Sequence, residues 1–207
     1  MALFFASSAP GQPVASYITE TVSIPNGGLT LRAVLGRPVG AGPFPVYIHN
    51  HGSMTAREAG RGPWTFITKN SLPDALAHQG YVALVLARRG YRGSDGAAAT
   101  YTQNQTSGGY SGRRAADVMR GAEEETSDVV AALEYLQSLP YVDREHVAVG
   151  GVSLGGLVSI MAARHDSQGL HLDARTACAG WLGERLNVGW AIDVLHPLAQ
   201  GARPNLS

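Results

Sequence analysis

Residues 146–164 constrain this chain more than any other stretch. Gly151-Val152-Ser153-Leu154-Gly155 fits the pattern G-x-S-x-G. Before it, His146-Val147-Ala148-Val149-Gly150-Gly151 is a short apolar run suited to a buried parallel strand. After it, residues 154–164 suit a helix packed on a sheet. A strand, a sharp turn and a helix would lift the Ser153 hydroxyl above the sheet edge. Gly151 and Gly155 remove the side chains that would clash in so tight a turn. With 26 glycines in 207 residues a chance match is a real alternative. The apolar run on one side and the helical pattern on the other argue against it.

The rest of the chain supplies the sheet. Residues 17–25 and 29–38 read as a hairpin around Pro25-Asn26-Gly27-Gly28. Residues 44–50 read as a strand and 81–87 as the clearest buried strand. Between them, residues 71–79 predict a helix with Ser71 as N-cap, Pro73 in its first turn and Gly80 as its stop. Residues 97–114 read as a polar surface loop. A helix near 115–139 follows and ends before Pro140, with Val129, Leu133 and Leu136 on one face. A last apolar run spans 176–182. Strands alternating with helices after an opening hairpin predict an α/β fold. Its sheet is mostly parallel, with antiparallel strands at one edge and helices on both faces. The organisation expected is an N-terminal arm over 1–16, a core over 17–182 and an atypical tail over 183–207.

Composition sets limits on function. Sixteen basic and sixteen acidic residues cancel, which argues against nucleic acid or an anionic membrane as the main partner. No window of eighteen apolar residues predicts a membrane span. The first nine residues lack the basic leading segment of a secretory signal. They leave the compartment open between the cytoplasm and a secreted or periplasmic location. Cys178 has no cysteine to pair with and lies in an apolar run, so it reads as a small core residue. No Cys or His spacing suggests a metal. The glycines around 150–156 match no nucleotide-cofactor motif, so no cofactor is expected.

Three motifs occur in chain order after successive strands: His51-Gly52-Ser53, Arg88-Arg89-Gly90-Tyr91-Arg92-Gly93-Ser94, and the pentapeptide at 151–155. With them the chain resembles the α/β-hydrolase family over residues 17 to about 182, and within it the dienelactone-hydrolase and prolyl-oligopeptidase-like branch. The resemblance implies a serine hydrolase acting on small carboxylic esters, with Ser153 as nucleophile. It implies that the backbone N–H of Leu154 is one oxyanion donor and that of Ser53 the other, with Met54 as the adjacent alternative. Gly52 would let the loop backbone come close. His51 reads equally as an orienting residue of that loop or as a structural histidine. The Arg88–Ser94 turn reads as structural, its arginines tying loops together.

The family order is serine, then acid, then histidine. Here 25 residues follow Leu182, whereas a strand–helix–strand unit needs roughly 30 or more. The C-terminal strands are therefore expected to be missing or replaced. His165 would stand about 18 Å along the helix leaving Ser153, too far to serve it. His78 and His146 lie at element ends that face away, and His171 lies in a polar loop. Asp193 and His196 remain as orienting acid and base, in the proper order after Ser153. Otherwise the protein is a catalytically impaired relative that binds a small ligand or a partner. An apolar sheet edge left open could be covered by a second copy of the chain. Trp64, Phe66, Tyr101 and Tyr110 are candidates to line an acyl pocket.

Overall fold

In the computed structural model, residues 14, 16–52, 71–98 and 115–165 are described, with side chains for all of these except 115–119 and 164–165. The opening hairpin is β1 (Tyr17–Asn26) and β2 (Leu29–Pro38), antiparallel and in continuous register from Tyr17↔Pro38 to Asn26↔Leu29. Its two turn residues, Gly27 and Gly28, have φ of 54° and 90°. A two-residue hairpin turn needs that left-handed backbone, and glycine adopts it without a Cβ penalty.

Three further strands complete the sheet: β3 (Phe44–Asn50), β4 (Val82–Ala87) and β5 (Val142–Gly151). The spatial order is β1-β2-β4-β3-β5. β2 meets β4 antiparallel, while β3 runs parallel to both β4 and β5. Every residue of β3 is buried, as expected of a strand with parallel neighbours on both sides.

Helix α1 (Leu72–His78) links β3 to β4, and α2 (Ala115–Gln137) links β4 to β5. α3 (Leu154–His165) leaves the end of β5. The chain steps from β3 to one side and then crosses back to the other. Right-handed crossovers in opposite directions place their helices on opposite faces. Alternation along the strands supplies both faces. Val46, Ile48, Val82, Leu84, Leu86, Val147 and Val149 pack with Val129, Leu133 and Leu136 of α2 and with Leu154, Val158 and Ala162 of α3. Tyr47, Ala83 and Ala148 point the other way and join Leu76 of α1 and Tyr81.

Two boundaries and one cap differ from expectation. β5 begins at Val142 rather than at residue 146. Its polar segment 143–146 is accommodated by a register irregularity between the pairs Phe44↔Val142 and Val46↔Val147, so the strand extends beyond its apolar run. α2 ends at Gln137, and the two residues after it close a turn before Pro140. Ser71 occupies the N-cap position of α1 but makes no side-chain cap. Its hydroxyl donates to the Asp74 carboxylate at 3.1 Å.

The change of direction around β3 has a functional consequence. In open α/β sheets a crevice forms outside the carboxyl ends of the strands where the order reverses. Here those are the ends of β3 and β5, which carry His51-Gly52 and Gly151–Gly155.

Candidate active site

Ser153 lies between β5 and α3 with φ of 54°. A left-handed backbone costs a non-glycine residue roughly 1–2 kcal/mol, so the surroundings must enforce it. They do so from both sides. The Val152 N–H donates to the Asn50 carbonyl at 3.1 Å and closes the β3–β5 ladder. The N–H groups of Gly155 and Gly156 then turn back to the carbonyls of Val152 and Ser153, each at 2.9 Å. No room remains beside the backbone. A Cβ on Gly155 would strike the Asn50 carbonyl and stand 2.5 Å from that of His51. A Cβ on Gly151 would strike the Asn50 carbonyl and stand 2.7 Å from the carbonyl carbon of Gly155.

Asn50 also holds the turn from beneath. Its side chain is fully buried, and Nδ2 donates to Ser159 Oγ at 3.0 Å. Ser159 Oγ in turn donates to the Gly155 carbonyl at 2.7 Å. Leu154 is the first residue of α3, and the first N–H groups of a helix have no intrahelical acceptor. That donor therefore sits next to the serine at the positive end of the helix dipole.

The segment after β3 forms the opposite wall. A Cβ on Gly52 would lie 3.3 Å from the Val152 carbonyl oxygen and 3.6 Å from Ser153 Cβ, so the Gly52 backbone abuts the serine. His51 is buried behind it. His51 Nδ1 lies 2.7 Å from the Gly52 carbonyl and 3.3 Å from Arg88 Nη2, and Nε2 faces the Arg88 backbone N–H at 3.4 Å; the shorter contact is to a carbonyl, which only accepts, and so favours the proton on Nδ1. The ring also meets Tyr91 edge-on at 4.7 Å between centroids. Burial, reinforced by the Arg88 guanidinium, holds its pKa well below the ordinary histidine value. Burial, again with Arg88, lowers the pKa of His49 to about 4. A ring so reluctant to take a proton is a poor general base near neutral pH.

The Arg88–Ser94 turn follows β4 and is consumed by the scaffold. Arg88 is fully buried: Nε donates to Glu125 Oε2 at 2.6 Å and Nη2 to the His51 carbonyl at 2.7 Å. The Arg89 guanidinium meets Asp128 at 2.7 Å, and its backbone N–H donates to the same carboxylate at 2.8 Å. Ser94 Oγ donates to the Ala87 carbonyl at 2.6 Å and accepts the Arg32 N–H at 2.8 Å.

Of the residues the sequence singles out, Ser153, Leu154, His51, Gly52, Gly151 and Gly155 converge here. Ser53, Asp193 and His196 lie outside the described residues, as do Met54, Trp64, Phe66, Tyr101, Tyr110, His171 and Cys178. His78 sits at the far end of α1 against Tyr17, and His146 pairs with Asp143 at 2.9 Å. Among the described residues no group of three or more His, Cys, Asp or Glu could hold a metal. No helix among them is long and apolar enough to cross a membrane.

Sequence reasoning missed Glu125, Asp128 and Asn50. A signal for the two acids existed. Both lie on the side of α2 that carries Ala122, Val129 and Ala132, where a buried carboxylate needs a cation, and Arg88-Arg89 directly follows the preceding strand.

A mixed sheet with this order, a strained serine after β5 and a close backbone wall after β3 together define an α/β hydrolase. Within that class the chain belongs to the X-Pro dipeptidyl-peptidase (S15) family, which it matches over residues 27–184. It is 30% identical over 145 residues to a putative carboxymethylenebutenolidase of Synechocystis, covering 70% of this chain and 53% of that protein. It is 36% identical over 80 residues to a probable dipeptidyl peptidase 4 of Neosartorya fischeri, covering 38% of this chain and 10% of that protein. A putative dipeptidyl aminopeptidase IV structure from Bacteroides ovatus superposes with a TM-score of 0.50 at 27% identity, covering 75% of this chain and 20% of that one. The chain thus spans between a tenth and about a half of the curated relatives it matches.

Proposed function

We propose that this protein hydrolyses small carboxylic esters by acyl transfer through Ser153. The observation that carries the reading is the left-handed Ser153 at the end of β5, with the Gly52 backbone against it. Ser153 Oγ attacks the ester carbonyl carbon while a base takes its proton. The C–O bond to the alkoxide breaks, the leaving group is protonated, and water then releases the acid by the same steps in reverse. The oxyanion is held by the N–H groups of Leu154 and Ser53. His196 serves as the base, oriented by Asp193. Ester is preferred to amide because an alkoxide leaves more readily than an amine and asks less of the general acid.

A second reading rests on the described histidines. His49 and His51 are held neutral by burial, and His78 and His146 are engaged elsewhere. If His196 does not reach Ser153, the protein is an impaired relative that binds a small ligand or partner in the same crevice. An unassisted serine hydroxyl is a weak nucleophile.

One set of measurements decides between them. A fluorophosphonate probe should label wild type and leave Ser153→Ala unlabelled, and hydrolysis of short acyl esters should fall by about 10⁴-fold or more in that variant. His196→Ala should lose a comparable amount. Equal turnover by wild type and Ser153→Ala removes Ser153 as nucleophile. Full activity in His196→Ala removes the proposed base.

A further inference from the structure

We infer that Asn50 and Ser159 are positioning residues for the nucleophile, acting together as a clamp on the two sides of Ser153. The inference rests on the reaction proposed above. Asn50 ends β3, and both jaws of the clamp belong to it. Its backbone carbonyl accepts the Val152 N–H at 3.1 Å, on the chain entering Ser153. Its side chain reaches the chain leaving Ser153 through one relay. Nδ2 donates to Ser159 Oγ at 3.0 Å, and Ser159 Oγ donates to the Gly155 carbonyl at 2.7 Å. The hydroxyl has one proton and a carbonyl only accepts, so that proton goes to Gly155 and the Asn50 amide presents its N–H₂. Ser153 is therefore held at φ 54° between two points, Val152 and Gly155, that are both tied to one residue of the neighbouring strand. The Leu154 N–H, which has no intrahelical acceptor, lies between the same two points. Fixing them sets the aim of the Ser153 hydroxyl and of the Leu154 donor together, and the proposed mechanism uses both.

Stability does not account for the pair. Asn50 and Ser159 are buried where aliphatic side chains would serve. Val46 and Ile48 precede Asn50 on the same face of β3 and pack with Leu154, Val158 and Ala162 of α3. Asn50 Oδ1 is buried there without a hydrogen-bond partner, a cost that an aliphatic residue would not carry. The Ser159 hydroxyl adds little to its own helix, because a carbonyl four residues earlier is already the acceptor of the backbone N–H. Such back-bonding slightly destabilises a helix. What the two polar groups supply is direction, which apolar contact lacks. α2 provides the comparison. Thr126 Oγ1 donates to the Ala122 carbonyl at 2.7 Å, the same back-bond from an equally buried side chain. Among the described residues no strand side chain bonds to that hydroxyl, so it ties its helix to nothing else.

The test compares the full chain with three variants. Asn50→Leu with Ser159→Ala removes the relay and leaves an apolar contact, and its folding is checked by thermal unfolding. Ser159→Ala alone deletes one oxygen and carries the same test if the double variant does not fold. Thr126→Val is the control for loss of a buried back-bond elsewhere. Misplacement of a catalytic group by about 1 Å can cost 10²-fold. The double variant should therefore lose about 10- to 100-fold in kcat on short acyl esters and in fluorophosphonate labelling rate, with KM within about twofold. Ser159→Ala should move the same way, and Thr126→Val should keep both rates. The ¹H–¹⁵N resonance of the Leu154 amide, read without any substrate, should shift in the double variant and hold its position in the control. Unchanged rates, or an unchanged Leu154 resonance, in the folded double variant (or in Ser159→Ala standing in for it) would overturn the inference and leave Ser153 chemistry intact. A loss carried by KM with kcat preserved would overturn it too, because the pair would then shape binding and not the nucleophile. An equal loss of kcat in Thr126→Val would reduce the pair to packing. A wild type that fails to label at Ser153 would sink the hydrolase reading instead and, with it, the catalytic meaning of the clamp.

Discussion

Two turns at the carboxyl end of the sheet invite comparison. One follows β4 and spans Arg88–Ser94; the other follows β5 and centres on Ser153. Each holds a non-glycine residue in the left-handed region, Arg92 at φ 51° and Ser153 at φ 54°. Each contains glycines that a Cβ would ruin. Yet in the first turn the polar side chains are drawn inward: Arg88 to Glu125, Arg89 to Asp128 and Ser94 to the Ala87 carbonyl. In the second, the surrounding backbone bonds to itself, and Ser153 stays half-exposed at the head of a helix. Backbone strain by itself therefore does not mark chemistry. What separates the two turns is whether the strained residue's neighbours consume the polar groups or leave them facing a crevice.

The largest expected break is at Arg88. Arg88→Met alone leaves Glu125 buried without a cation and should cost about 3–5 kcal/mol, whereas adding Glu125→Leu should restore most of it. Urea unfolding of the three proteins checks this. A single variant as stable as wild type would show that the first turn is not held by its ion pair.

Next comes acid sensitivity at the strand end that both turns share. His49 has a pKa of about 4 in the folded protein, against about 6.5 when unfolded, and His51 is shifted in the same direction. Between those values the unfolded chain binds more protons than the folded one, so stability falls as pH falls from about 6.5 towards 4. His49 alone should contribute about 3 kcal/mol to that loss. The slope of unfolding free energy against pH should flatten in His49→Gln. An unchanged slope in that variant would locate the acid sensitivity elsewhere.

The smallest effects sharpen the contrast most. Ser94→Ala removes one donor and one acceptor from the first turn and should cost about 1–2 kcal/mol, with the labelling rate of folded protein unchanged. Gly155→Ala forces a Cβ against the Asn50 and His51 carbonyls and should cost about 1–3 kcal/mol. Unlike Ser94→Ala, it should also slow probe labelling at Ser153, because the turn must shift to admit it. Equal labelling in both variants would erase the distinction drawn between the turns.

The sequence by itself determined the local structures whose residues leave few choices. Gly27-Gly28 permits a two-residue hairpin, β3 and β4 are apolar runs that only a buried sheet satisfies, and Gly151 and Gly155 flank a serine that no regular strand or helix would frame in that way. The resemblance of three motifs in order supplied the class. Tertiary structure alone decided how those motifs meet. That Arg88 reaches across to His51, that Glu125 and Asp128 along α2 are the counterparts of Arg88 and Arg89, and that Asn50 braces the turn through Ser159 are contacts between residues 37 to 109 positions apart. Periodicity and turn chemistry act over a few residues, so they carry no information on such pairs. Only closing the sheet, with β3 placed between β4 and β5, brings those side chains within bonding distance.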